Sequence, residues 1–340
     1  MQHDFTNPGS PAGCYTTENE VFYGPNFIAA NLRVYLLRIF VNVSDPFVFY
    51  RRKASFIQQL SSRLDVNGLV VCDHRVFVIG ISSPTMEVFD AMSCQQLETL
   101  TISAMTDPWD IAARATNPYL YVFEGPYQVL RLNLNGQIVN SWQLDESQRA
   151  LSVSRRNSVV ITYSNRLEEF DNVGNILRSI RLDRSVSHAS HSLSLDAEKF
   201  IVCHGSGLSS ISHSVCLMDS EGRILNRYQE SGRSTYQPLR LAVADHGCVL
   251  VADIHNRRLQ ILNQNISQTH NPINIGREQG GPLGVCYDSS YGNVYINTLD
   301  GKVLVYCIRT RSSLRSECFD VHSGLIPDQL TSTMPETMEE

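Results

Sequence analysis

Three side chains that could do chemistry together occupy matching places in a sequence that repeats: Asp110, His191 and Arg240. Each stands at the head of a short apolar run, and two further copies carry Ala150 and Gly284 at the aligned position. An acid, an imidazole and a guanidinium brought to one opening would hold an anionic or peptide ligand, a water or a metal ion. His188 and His191 have a ligand spacing that works on a helix, but their surroundings read as a loop entering a strand. A second group is basic. Arg149, Arg155, Arg156, Arg166, Arg178, Arg181 and Arg184 crowd one copy, where Tyr163 and Trp142 are placed to stack on bases. Arg155, Arg156 and Tyr163 are the residues expected to form such an RNA face, although Glu168, Glu169, Asp171 and Asp183 are interleaved with them. The chain has no P-loop, dinucleotide fingerprint, nucleophile elbow or HExxH motif. No Cys or His cluster has metal spacing, so neither a cofactor nor a metal is expected.

These residues are positioned by a phrase that recurs six times: an apolar run, a polar turn, a second run, and a third that ends in a small turn residue. The third runs end at Asp90, Asn133, Asp171, Asp219, Asn263 and Cys307, spaced 43, 38, 48, 44 and 44 residues apart. A period of about 40–45 residues with four short strands per copy is the pattern of propeller blades. The fold expected is therefore all-β: a six-bladed β-propeller of four-stranded antiparallel blades. Asn135-Gly136, Gly174-Asn175 and Glu221-Gly222 mark hairpin turns.

The blades span 67–308. Residues 1–26, rich in Gly, Pro, Asn and Thr, read as a disordered N-terminus. Residues 27–66 form an N-terminal segment in which VYLLRIFVNV is a candidate strand and FIQQLSSRL a candidate short helix. The sixth blade shows three strands, and its fourth is expected from VYLLRIFVNV or from the segment around Ser316–Phe319. Residues 309–340 are a C-terminal segment with an acidic, disordered tail.

Composition narrows the function. Of 340 residues, 42% are hydrophobic and 18% charged, which suits a globular β protein. A net charge of −6 excludes a molecule that is basic all over. Lys53, Lys199 and Lys302 are the only lysines among 28 basic residues. Cys72, Cys203, Cys216, Cys248, Cys286 and Cys307 lie in apolar runs, as small hydrophobes in a reducing compartment do. The start MQHDFTNPGS has no basic n-region and no apolar h-region, and no run is long and uncharged enough to span a membrane. A cytoplasmic monomer is expected.

One copy carries a family signature. Val251-Ala252-Asp253, then Asn256, Arg257, Arg258 and Leu259-Gln260-Ile261-Leu262, resembles the NHL repeat, with Arg257 where that repeat has its histidine. Pro282-Leu283-Gly284-Val285 and Pro108-Trp109-Asp110-Ile111 are similar to the phrase that opens an NHL blade. The resemblance implies an ion pair between Asp253 and Arg258. It also implies a non-enzymatic scaffold that binds a protein or peptide through its loops, as in the substrate-recognition module of a ubiquitin-ligase-like system. No RING, B-box or coiled-coil pattern accompanies it. Two alternatives follow from related propellers: single-stranded RNA binding on an Arg-rich face, and a metal-dependent lactonase- or lyase-like enzyme.

Overall fold

A computed structural model describes residues 54–308, apart from 115–116, 187, 197, 206–212, 231–235 and 269–270. All of these belong to the unit Val41–Glu340. The chain begins its described part with β1 (Ser55–Leu60). The first blade follows as β2 (Val66–Cys72), β3 (Arg75–Gly80), β4 (Thr85–Asp90) and β5 (Gln96–Thr101). The second is β6 (Pro108–Arg114), β7 (Asn117–Glu124), β8 (Gln128–Asn133) and β9 (Ile138–Gln143). The third is β10 (Ala150–Val153), β11 (Val159–Thr162), β12 (Arg166–Phe170) and β13 (Ile176–Arg181). The fourth is β14 (Ala189–Ser194), β15 (Lys199–His204), β16 (Ser214–Asp219) and β17 (Ile224–Tyr228). The fifth is β18 (Pro238–Val243), β19 (Val249–Asp253), β20 (Arg258–Leu262) and the short β21 (Ile273–Asn274). The sixth is β22 (Pro282–Asp288), β23 (Asn293–Thr298) and β24 (Val303–Cys307), completed by β1.

The strand patterns explain the stacking. Second strands are largely apolar, and second and third strands alike are buried, because both their faces are covered. In β3, Val76 and Val78 pack toward the sixth blade while Phe77 and Ile79 pack toward the second. One apolar cluster fills each of the six blade interfaces among the described residues. Each fully buried Val, Leu, Ile or Phe there contributes about 1.5–3 kcal/mol. The fourth strands form the rim: β5 and β9 are mostly exposed. The innermost strands lie side by side in the order β2, β6, β10, β14, β18, β22 and back to β2, which closes the ring.

The residue that ends each third strand shapes the next turn. The side-chain oxygens of Asn133, Asp171, Asp219 and Asn263 each accept backbone N–H groups two and four residues on. Asp90 accepts from Met92 and Ser93. This local bonding holds the hairpin to the outer strand. Cys307 stands at the sixth such place, at the end of the described residues. The outer strand there comes from β1, which pairs antiparallel with β24 from Ser55↔Cys307 to Leu60↔Val303.

This corrects the reading of FIQQLSSRL as a helix. Phe56–Leu60 is strand, because β24 offers an open edge and Leu60 is buried against the first blade. VYLLRIFVNV and Ser316–Phe319 lie outside the described residues. Among the described residues no helix is long and apolar enough to cross a membrane.

Candidate functional site

The inner strands open with a repeated irregularity. Register shifts fall at Val66/Gly68, Pro108/Asp110, Ala189/His191, Pro238/Arg240 and Pro282/Gly284. An extra residue at that point bends the strand and re-aims the side chain after it. Proline is tolerated there because it is the first residue of its strand. The side chains that follow form one tier around the channel: Gly68, Asp110, His191, Arg240 and Gly284, with Ala150 at the matching start of β10.

That tier brings together the three residues singled out by alignment. Arg240 Nη1 lies 2.9 Å from Asp110 Oδ2. The same oxygen accepts the Leu151 N–H at 3.0 Å, and Oδ1 accepts the Ile111 N–H at 3.0 Å. Asp110 is only 8% exposed. Burial pushes its carboxyl above the ordinary value, while Arg240 and the two amides pull it back. His191 is 6% exposed, and its Nδ1 has no hydrogen-bond partner. Burial, and then the Arg240 charge, hold its imidazole well below its usual pKa and therefore neutral. The small residues of the tier leave room for Arg240 to reach inward. A Cβ on Gly284 would collide with Asn297 Oδ1, and one on Gly68 would crowd Ile111 at 3.1 Å. The cavity that remains is about 180 Å³.

Above this tier is the mouth where the inner strands begin. A recess of about 220 Å³ there is lined by Arg149, His188 and Arg240, with Asn67, Leu239 and Leu283. Arg149 directly precedes Ala150, and His188 lies just ahead of β14. Their adjacency to the aligned positions is the signal that sequence reasoning passed over. Trp109 occupies in the second blade the bulge position held elsewhere by Asn67, Ser190, Leu239 and Leu283, and it is 41% exposed.

The residues expected to face RNA do not assemble. Arg155 and Arg156 sit in the β10–β11 turn, whereas Tyr163 follows the far end of β11. Tyr163 is 2% exposed and packs in the apolar interface of the second and third blades, with the Arg166 guanidinium 4.0 Å from its ring centre. Trp142 packs against Tyr121 and Phe170 with ring centres 6.3 Å apart in each case. The Tyr163 ring is closed to a base, and Trp142 is half-buried against the third blade. For the metal-enzyme alternative, no three His, Cys, Asp or Glu side chains converge among the described residues.

Asp253 and Arg258 face each other across β19 and β20, with Nε 2.9 Å from Oδ2. Asp253 also accepts from the Gln237 N–H and from Asn256 Nδ2. Glu124 does the same work in the second blade, accepting the N–H groups of Thr106 and Asp107. An acid at the end of a second strand thus anchors the loop that enters the same blade.

The chain is a six-bladed β-propeller. Among solved structures it is similar to the β-propeller domain of Cps50 (Swd1) from Myceliophteria thermophila, with a TM-score of 0.58 and 8% identity over 76% of this chain and 100% of that one. It is also similar to the WD40 β-propeller domain of Doa1, with a TM-score of 0.53 and 14% identity over 77% of this chain and 98% of that one. At such identity the likeness concerns the fold. No family model and no curated protein matches the sequence.

Proposed function

We propose that this propeller is a non-enzymatic interaction scaffold, with NHL-like character in its fifth blade, that captures an acidic protein segment at the upper channel mouth. The observation that carries this reading is the charge left over in that recess. Arg149, His188 and Arg240 line it, and no acid does. The carboxylate of the tier below, Asp110, is already bonded to Arg240 and two backbone amides. A partner carboxylate would meet donors that the chain itself leaves unsatisfied. Leu239 and Leu283, which line the recess, supply the apolar contact that such a segment needs around its charge. The WD40-type neighbours support a rigid ring that presents loops, and the Asp253–Asn256–Arg258 phrase supports the NHL comparison.

The test is fluorescence anisotropy with labelled twelve-residue peptides, one set rich in Glu and a matched set with Gln in place of Glu. The acidic set should bind and the matched set should not. Arg149→Glu should weaken the acidic set about tenfold or more, since like charges are then juxtaposed. Equal binding of both sets, or no response to Arg149→Glu, would remove the proposal.

A further inference from the structure

The lower mouth of the channel, where the inner strands end, encloses about 540 Å³, three times the space of the tier above it. Its wall carries charge of both signs on blades that face each other. Arg155, with Arg114 beside it, comes from the third and second blades, and Asp288 comes from the sixth. At the upper tier the corresponding opposed charges, Arg240 and Asp110, meet directly. At the lower mouth they do not: among the described residues no carboxylate pairs with Arg114 or Arg155.

On one wall the cations have no paired anion, and on the other Asp288, which shares its wall with His74, keeps one buried oxygen without a hydrogen-bond partner. Arg114 Nη1 donates to the Ser154 carbonyl at 2.8 Å, which fixes the guanidinium at the wall. Burial, and then the charge of Arg155, lower its pKa. Asp288 is 4% exposed; its Oδ1 accepts the Ser290 N–H at 2.8 Å, and its Oδ2 has no hydrogen-bond partner. A buried carboxylate oxygen left alone is costly unless something completes it. Asp73, on the same side, is already paired with Arg75. Between the charged walls the lining is apolar, from Val71, Val153, Leu193 and Val243.

We propose that the lower mouth binds a small zwitterion whose carboxylate and ammonium lie at opposite ends of an uncharged spacer, the carboxylate against Arg114 and Arg155 and the ammonium toward Asp288. A plain anion would leave Asp288 unmet, and a plain cation would face two guanidiniums. The spacer lies along the valines. A short peptide and an ω-amino acid share this chemistry.

Calorimetric titration of the full chain tests it with trialanine, N-acetyl-trialanine, trialanine amide and 6-aminohexanoate. At least one of the two unblocked zwitterions should bind, and which one does so tells a peptide from an ω-amino acid. If trialanine binds, each blocked form should bind about tenfold more weakly, since each has lost one end charge. Arg155 is exposed, so Arg155→Gln should fold normally and lower the affinity for whichever zwitterion binds about tenfold. Asp288→Asn should weaken the same ligand, and Arg149→Glu at the upper mouth should leave it unchanged. No heat from either zwitterion at about 10 mM, blocked forms that bind as well as trialanine, or full affinity in Arg155→Gln would each overturn the assignment.

Discussion

Arg240 reaches across the channel to Asp110, Nη1 to Oδ2 at 2.9 Å, and so joins the fifth blade to the second. The two residues are 130 positions apart in sequence. In a ring of six these blades face each other, so the contact depends on closure of the whole propeller. It also sets what the upper mouth offers to a ligand. Asp110 is consumed internally, and the guanidinium is held in place by it.

Removing the arginine alone should therefore be costly. In Arg240→Leu, Asp110 keeps the Leu151 and Ile111 amides but loses its counter-charge inside a buried site. Breaking a buried pair this way costs about 3 kcal/mol, part of which is relieved if the carboxyl takes up a proton. The double variant Asp110→Asn with Arg240→Leu should recover some of that loss. Urea denaturation of the three proteins measures it. A single variant within about 0.5 kcal/mol of the parent would show that the pair ties nothing together.

His191 gives the fold a sensitivity to acid. Its folded pKa is depressed, because burial and Arg240 disfavour the imidazolium. The unfolded chain takes up that proton near pH 6.5, and the folded chain does so only at much lower pH. The contribution is thus complete above about pH 6.5 and is lost as the pH falls, by at most about 1.4 kcal/mol per unit. Denaturation midpoints of the parent and His191→Gln, compared from pH 7.5 to 5, should converge on the acid side. Parallel curves over that range would mean that His191 does not titrate between the two states.

Much of the architecture was legible because the chain repeats its local chemistry. The turn-forming oxygens of Asn133, Asp171, Asp219 and Asn263 mark the blade period, since each must accept the same amides. The opening positions were legible for the same reason: the strand irregularity before Asp110, His191 and Arg240 is repeated. What local pattern could not show was which side chains meet. The Asp110–Arg240 contact needs ring closure, and the lower-mouth charges of Arg155 and Asp288 share nothing in the repeat alignment. Tyr163 looked available beside Arg155 and Arg156. Strand direction puts it at the other end of β11, and blade stacking buries it. FIQQL carries no strong strand pattern, and only the open edge of β24 makes it one.

That edge yields the last prediction. The other outer strands are held to their blades by hairpins, whereas β1 is held to β24 across most of the chain. Leu60 is its buried anchor, in the cluster that joins the sixth and first blades. Leu60→Ala should cost about 2–4 kcal/mol, as for a buried leucine, while Leu97→Ser on the exposed outer strand of the first blade should change little. Removing residues 1–61 should do more than lower the melting temperature. It would uncover the backbone of Val303–Cys307, and an apolar strand edge of that kind recruits a second copy. Size-exclusion chromatography should then show species larger than the parent. A truncated chain that elutes and melts like the parent would mean that the sixth blade is stable with three strands, and that β1 covers an edge needing no cover.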